Sequence, residues 1–345
     1  MAITPGDYTF RQKITGTSPS ATNTGQTLLI TEASVHADFW DNVPNGGGSI
    51  RVCENEDGTN QLPVDVVLCN TTTDKLILHT RKPSYTAAAT GRDVWVFAKL
   101  TGTKEGDATT YGRNNVWQDY LKVKHLESTS ATDSTGAAAG TVTSSPSVAT
   151  GKIGSGLDFD GVDDVIDEGS TTVGTAFTVS AWVNFNSLPA LFMGIYTKRS
   201  TLNATALNFV LDLSSSQKFR FLVRDDAGNN GNITSATSAS TGTWYHIVGV
   251  RNGNNTELFV NNSSHGTGSG TIGTTTVAAD PLIGAFYNGS TTKVGFLDAV
   301  VDETRLRNSA LTSSQVATEY ANQNNPSTFW TQATPDDPSV SGGTN

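Results

Sequence analysis

Apolar and polar residues alternate along this chain in short runs, each closed by Gly, Asn, Asp or Ser. Phe177-Thr-Val-Ser-Ala-Trp-Val-Asn-Phe185 is the clearest of these runs. A period of two places successive side chains on opposite faces of a strand. The chain is thereby directed to β-sheets that bury one face and wet the other. Its 34 glycines, 36% hydrophobic content and 16% charged content fit many tight turns and no helical bundle.

A length of 345 residues exceeds one ordinary sandwich and suits two cores. Residues 1–118 read as a first β-sandwich domain, with strands at Tyr8–Thr15, Leu28–Thr31, Ile50–Glu54, Leu62–Leu68, Lys75–His79 and Asp93–Lys99. Residues 119–330 read as a second sandwich opened by Tyr120-Leu-Lys-Val-Lys-His-Leu126. Residues 331–345 hold too few apolar groups to bury a core, and are expected to form a flexible acidic tail. Cys53 and Cys69 could face each other across a hairpin; buried thiols are the favoured reading.

The net charge of −10 argues against nucleic acid and anionic membranes as partners. No apolar run reaches the ~18 residues that crossing a bilayer requires. The start, Met1 to Tyr8, has neither a basic region nor an apolar one, so no signal peptide is expected there.

Five pieces fall in one order over the second half. They are the acidic turn Gly156-Leu-Asp-Phe-Asp-Gly-Val-Asp-Asp164, the strand Phe177–Phe185, Thr243-Trp-Tyr-His-Ile-Val-Gly-Val-Arg251, Glu257-Leu-Phe-Val-Asn261 and Val301-Asp-Glu-Thr-Arg-Leu306. A helix-like segment from Thr312 to Tyr320 follows them. In this order the pieces resemble the laminin-G-like, concanavalin-type jelly roll, in which the Asp133-Ser-Thr-Gly136 turn also has a counterpart. The resemblance implies an all-β fold of two β-sandwich domains, the second a jelly roll.

The first half resembles a poorly characterised β-domain that often precedes laminin-G-like domains in bacterial surface and phage proteins. Phe10-Arg-Gln-Lys-Ile14, Phe39-Trp40, Gly48-Ser-Ile-Arg51, Leu62-Pro63, Val94-Trp-Val96 and Tyr111-Gly112 carry that likeness.

No metalloprotease, nucleophile-elbow, phosphate-loop or zinc-ligand spacing occurs. Glucanases of the jelly-roll type use two carboxylates on one strand, ~5–5.5 Å apart when the mechanism is retaining. Asp298 with Asp302, and Asp302 beside Glu303, are the comparable pairs, and the resemblance makes Asp302-Glu303 structural. No catalytic residue is expected, and His246 reads as a hydrogen-bonded structural group.

Alternation assigns Phe177, Val179, Ala181, Val183 and Phe185 to the core, which leaves Trp182 and Asn184 facing outward. The same reading turns Asn208 and Asp212 outward from one strand, and Arg220, Leu222 and Arg224 from the next. Together these suit one concave patch, with Trp182 as a platform for a sugar ring and Asn208, Asp212 and Arg220 for its hydroxyls. The alternative is a Trp182 covered by a loop or by the first domain. The resemblance favours this alternative, because a Trp recurs at this position in the family. The loop carrying Tyr287 and Asn288 is the other candidate recognition element. The resemblance further implies a structural Ca²⁺ near the acidic turn, with Asp160 and Asp302 as its ligands.

The expected function is a non-enzymatic bacteriophage virion protein, extracellular after lysis, that displays a glycan- or receptor-binding jelly roll. Its expected partners are other virion proteins, further copies of the chain and a cell-surface glycan. A purely structural component, such as a capsid decoration or tail-associated protein, is the alternative. A polysaccharide hydrolase ranks third.

Overall fold

Strands account for 45% and helices for 11% of the residues in the computed structural model, which describes residues 2–200, 207–289 and 291–340. The protein is all-β. Two compact units divide the chain: Met1–Gln118 joined by the chain from Thr312 onward, and Asp119–Leu311.

The first unit packs a five-stranded sheet on a three-stranded one. Trp330–Gln332, Phe10–Gly16, Asp93–Ala98, Arg51–Cys53 and Gln61–Leu62 form the larger sheet in that order. Asn23–Thr31, Lys75–Tyr85 and Val64–Asn70 form the smaller. Phe10, Ile14, Leu28, Leu78, Val94 and Val96 meet between them, which is the inward set that alternation produces on each strand. Both thiols are buried and free, and burial pushes them up, to about 12 at Cys53 and about 11 at Cys69.

The chain's last part differs from the sequence reading. Residues 312–340 belong to the first unit, whereas the sequence pattern puts the helix in the second sandwich and residues from 331 in a tail. Helix Ser313–Asn324 starts at a capping box, in which Thr312 accepts from the Gln315 amide and the Gln315 side chain accepts from the Thr312 amide. It then lays a polar face on strand Asn23–Thr31. Asn322 is the main link, accepting from the Leu29 amide at 2.6 Å and donating to the Leu29 carbonyl at 2.9 Å. Trp330–Gln332 next pairs antiparallel with Phe10–Gly16, and Arg11 holds Asp336 by both side-chain and backbone bonds. Side-chain amides of the helix tie it to the neighbouring backbone, and the apolar groups Phe329 and Trp330 of this stretch enter the first unit's core.

The second unit is a two-sheet jelly roll. The central strands of one sheet are Ser155–Asp160, Asp298–Arg307, Ala176–Phe185, Trp244–Asn252 and Asn255–Val260, in that order. The other runs Asn230–Ser238, Lys218–Arg224, Leu207–Leu213, Met193–Arg199, Leu282–Ile283, Val165–Asp167 and Thr141–Thr143. Phe177, Val179 and Val183 from the first sheet meet Phe209, Leu211 and Phe221 from the second. Every inward residue that alternation named on these strands lies in this one core.

Candidate functional site

The candidate binding residues fall in three separate places. Strand Ala176–Phe185 pairs with Trp244–Asn252 and Asp298–Arg307, whereas Leu207–Leu213 and Lys218–Arg224 pair with each other in the opposite sheet. Trp182 and Asn184 therefore face away from Asn208, Asp212 and Arg220. The two sets lie on opposite outer faces, separated by a core ~10 Å thick. The concave patch joining them does not form, because alternation tells inside from outside but not which sheet a strand enters.

On the first sheet's outer face, Trp182 is 1% exposed and cannot serve as an open platform. His246, directly opposite it in register, stacks at 4.9 Å between ring centroids, and the Lys152 ammonium lies 4.8 Å from the ring centroid. Asn184 is half-buried, and its Oδ1 has no hydrogen-bond partner among the described residues.

Asp302 faces Trp182 across the next strand pair and is fully buried. Its Oδ2 accepts from the Ile153 amide at 2.8 Å. The register then shifts between Ser180 and Trp182, and Glu303 adopts a left-handed φ of 48°. This β-bulge brings the Glu303 carboxylate onto His125 at 2.6 Å and Arg305 at 2.7 Å. The acidic pair of the closing motif is thus built into side-chain and backbone bonds within the sheet.

Asp302 does not approach Asp160. Asp160 lies opposite Asp298 in register, and Asp302 is a step of four residues further along that strand, ~13 Å. The two expected metal ligands therefore do not share a site. Asp160 instead gathers with Asp163 and Asp164, their carboxylate oxygens within 4.8 Å of one another. Gly161, at a φ of 77°, closes this turn; the Val162 amide donates to Asp160 and the Asp160 amide to Asp164. Burial, followed by the charges of Asp160, Asp163 and Asp158, pushes the Asp164 carboxyl up. Converging hard oxygens under mutual repulsion are a donor set that suits Ca²⁺.

Beside the Trp182 face, burial also raises Glu127, to about 7, with the Glu303 charge adding to the rise and the Ser155 amide and His125 opposing it. A carboxyl raised in the fold favours the protonated form. Its stabilising contribution is complete below the unfolded value near 4.5 and is lost as pH rises through about 7. The second unit is therefore expected to melt at a higher temperature at pH 5 than at pH 8, and Glu127→Gln should narrow that gap. Calorimetry of both proteins at both pH values checks this; an unchanged gap removes Glu127 as the cause.

The second sheet's outer face holds the most binding-competent geometry. Asp212, fully buried, takes the Arg220 guanidinium with both oxygens. Burial raises Asp212 and Arg220 opposes the rise. The Arg220 guanidinium lies 4.4 Å from the ring centroid of Phe192. Phe192 is 39% exposed and Leu191 beside it 77%. Neither was singled out in the sequence, although Leu188-Pro-Ala-Leu-Phe192 sets large apolar residues in a loop rich in turn formers, which was the available signal.

Asn208 is buried against Thr275 and so does not reach this surface. Tyr287 donates to Asp167 at 2.7 Å, on a strand four places from that of Arg220 in the sheet order, ~19 Å away. Asn288 is exposed, its amide closing a turn onto the Thr292 carbonyl.

Residues 160–317 match the family model described as the concanavalin A-like lectin/glucanases superfamily. Among solved structures, domain 4 of the extracellular arabinanase AbnA from Geobacillus stearothermophilus, in complex with arabinotriose, is similar at 19% identity and a TM-score of 0.47. That likeness covers 59% of this chain and 98% of the arabinanase domain. The binding domain of Paraclostridial Mosquitocidal Protein 1 is similar at 13% identity and a TM-score of 0.48, and the botulinum neurotoxin serotype D binding domain at 11% and 0.45. Each of these two likenesses covers 59% of this chain and 52% of the toxin domain, so this chain spans about half of their length. No curated protein matches the chain.

Proposed function

We propose, on the match of residues 160–317 to the concanavalin A-like family model, that this chain is a non-enzymatic attachment protein whose jelly roll binds a glycan on a cell surface. The observation that carries this reading is the exposed Phe192 ring beside the Asp212–Arg220 pair. An aromatic face next to fixed, directional polar groups is how sugar rings are held: C–H faces on the ring, hydroxyls on the charges. The first unit's resemblance to a β-domain of bacterial surface and phage proteins supports placing the chain on a bacteriophage particle, among other virion proteins. There, many copies would convert weak single-site binding into avidity. The bonds that occupy Asp302 and Glu303 support the non-enzymatic reading. Asp160, Asp163 and Asp164 are the residues that would hold a structural Ca²⁺.

A glycan array probed with purified protein, with Ca²⁺ and again with EDTA, tests the reading. Selective binding that falls at least tenfold on Phe192→Ala is expected, with the melting temperature held within about 2 °C because the ring is partly exposed. Ca²⁺ should raise the melting temperature, and Asp163→Asn should abolish that rise. Absence of binding across the array would favour the structural virion role, and release of reducing ends from a polysaccharide would favour a hydrolase.

A further inference from the structure

The second unit seals a compact group of four ionisable side chains near its start. Lys124, at the end of strand Tyr120–Lys124, is fully buried, and Lys122, Asp133 and Glu168 are each no more than 6% exposed. The Lys124 ammonium touches both carboxylates, at 3.3 Å from Asp133 and 3.2 Å from Glu168. Lys122 stands further off, 3.6 Å from Asp133, and donates to the Ala138 carbonyl. The Lys124 stem has little room to swing away, since a Cβ on Gly140 would lie 3.2 Å from its Cε. Charges kept this far from water are costly even when paired.

The two oxygens of Asp133 are held differently. Oδ1 accepts from the Thr135 hydroxyl at 2.6 Å, the Thr135 amide at 3.0 Å and the Val123 amide at 3.4 Å. Oδ2 faces the two lysines. Donors fixed around one carboxyl oxygen are the arrangement that stabilises negative charge gathering there when the carbon is attacked. Glu168 makes no hydrogen bond among the described residues beyond its contact with Lys124. Burial pushes its carboxyl up to about 7, with the Lys124 ammonium opposing and the Asp133 charge adding. Such a group can both take and return a proton near neutral pH.

We infer that Lys124 and Asp133 join in an isopeptide bond, with Glu168 carrying protons from the amine to the leaving oxygen. The freed Nζ attacks Cγ of Asp133, and negative charge gathers on Oδ1 among its three donors. The Nζ–Cγ bond forms as the Cγ–Oδ2 bond breaks. Nζ gives up two of its three protons through Glu168 to Oδ2, which departs as water, and Glu168 ends as it began. Contact at this range replaces an encounter between separate reactants, and the closed site keeps water from reversing the step. The product removes one positive and one negative charge from the interior and leaves Lys122 and Glu168 as an opposite pair. It ties the end of the strand to the turn after it, beside the bond from the Ser134 amide to the Val123 carbonyl. None of this depends on glycan binding.

Mass spectrometry of the denatured full chain should give a mass lower than that of its sequence by one water. Trypsin should fail to cut at Lys124 and leave residues 123–152 as one peptide, with no fragments from single backbone breaks between residues 124 and 133. Asp133→Asn should form the same link with loss of ammonia in place of water. Glu168→Gln should keep its full sequence mass and be cut at Lys124. Should that variant fail to fold, Glu168→Asp, which sets the carboxyl back by one methylene, should give a mixture of linked and unlinked chains. A natural chain at its full sequence mass would overturn the inference and leave Lys124 as an ion-pair partner. A water lost elsewhere, such as at Asp57-Gly58, would do the same. A link that persists undiminished in Glu168→Gln would overturn the part given to Glu168.

Discussion

A chain ended at Leu311 is expected to lose the folding transition of its first unit and keep that of its second. The removed stretch places Phe329 and Trp330 in the first core, each 3% exposed. Phe329 stacks on Tyr85, and the Trp330 indole donates to the Leu29 carbonyl at 2.8 Å. Deleting one such aromatic costs ~3–5 kcal/mol, so losing both approaches the ~5–15 kcal/mol that holds a domain together. The polar losses act in the same direction. Leu29 would lose the Asn322 side chain from both its amide and its carbonyl, and Phe10–Gly16 would become an open sheet edge. Residues 119–311 retain both sheets and their own core. Urea denaturation followed by circular dichroism should show one transition where the full chain shows two. A truncated protein that keeps both transitions would mean that residues 312–340 merely lie on a unit already able to fold.

The reason this clasp was hard to read from sequence is the same one that scattered the candidate site. Local pattern reports what a strand does with its two faces. It placed Phe177, Val179 and Val183 inward, and all three meet Phe209 and Leu211 in one core. Which strand lies beside which is settled by pairings distant in sequence, such as Trp182 with Asp302 or Ile14 with Gln332, and a period of two carries no trace of them. Helix Ser313–Asn324 shows the converse case. It buries Ser314, Gln315, Thr318 and Asn322, residues that in sequence look like a solvated face, because each finds a backbone or side-chain partner only in the folded chain. Phe192 escaped notice for a third reason: an exposed aromatic follows no periodicity, and only its position in a Pro-containing loop marked it.

Trp182→Ala separates a platform from a structural ring. If Trp182 were the surface on which a sugar stacks, the substitution would abolish binding and leave the melting temperature nearly unchanged. The structure leads to the opposite expectation. At 1% exposure, between the His246 ring and the Lys152 ammonium, the indole leaves a cavity when truncated, at a cost of ~3–5 kcal/mol. For a unit of this size, that corresponds to a fall of roughly 10 °C in the second unit's melting temperature. The substitution also removes the group facing Asp302, whose carboxyl burial already pushes well above its ordinary value. Water admitted there would let that carboxyl ionise more readily, so the loss of stability should be smaller at pH 8 than at pH 5. Glycan affinity measured well below the melting transition should be unchanged, because Phe192 and Arg220 stand on the other sheet's outer face, across the core. Lost binding without lost stability would return the site to the Trp182 face; lost stability with binding intact keeps it with Phe192.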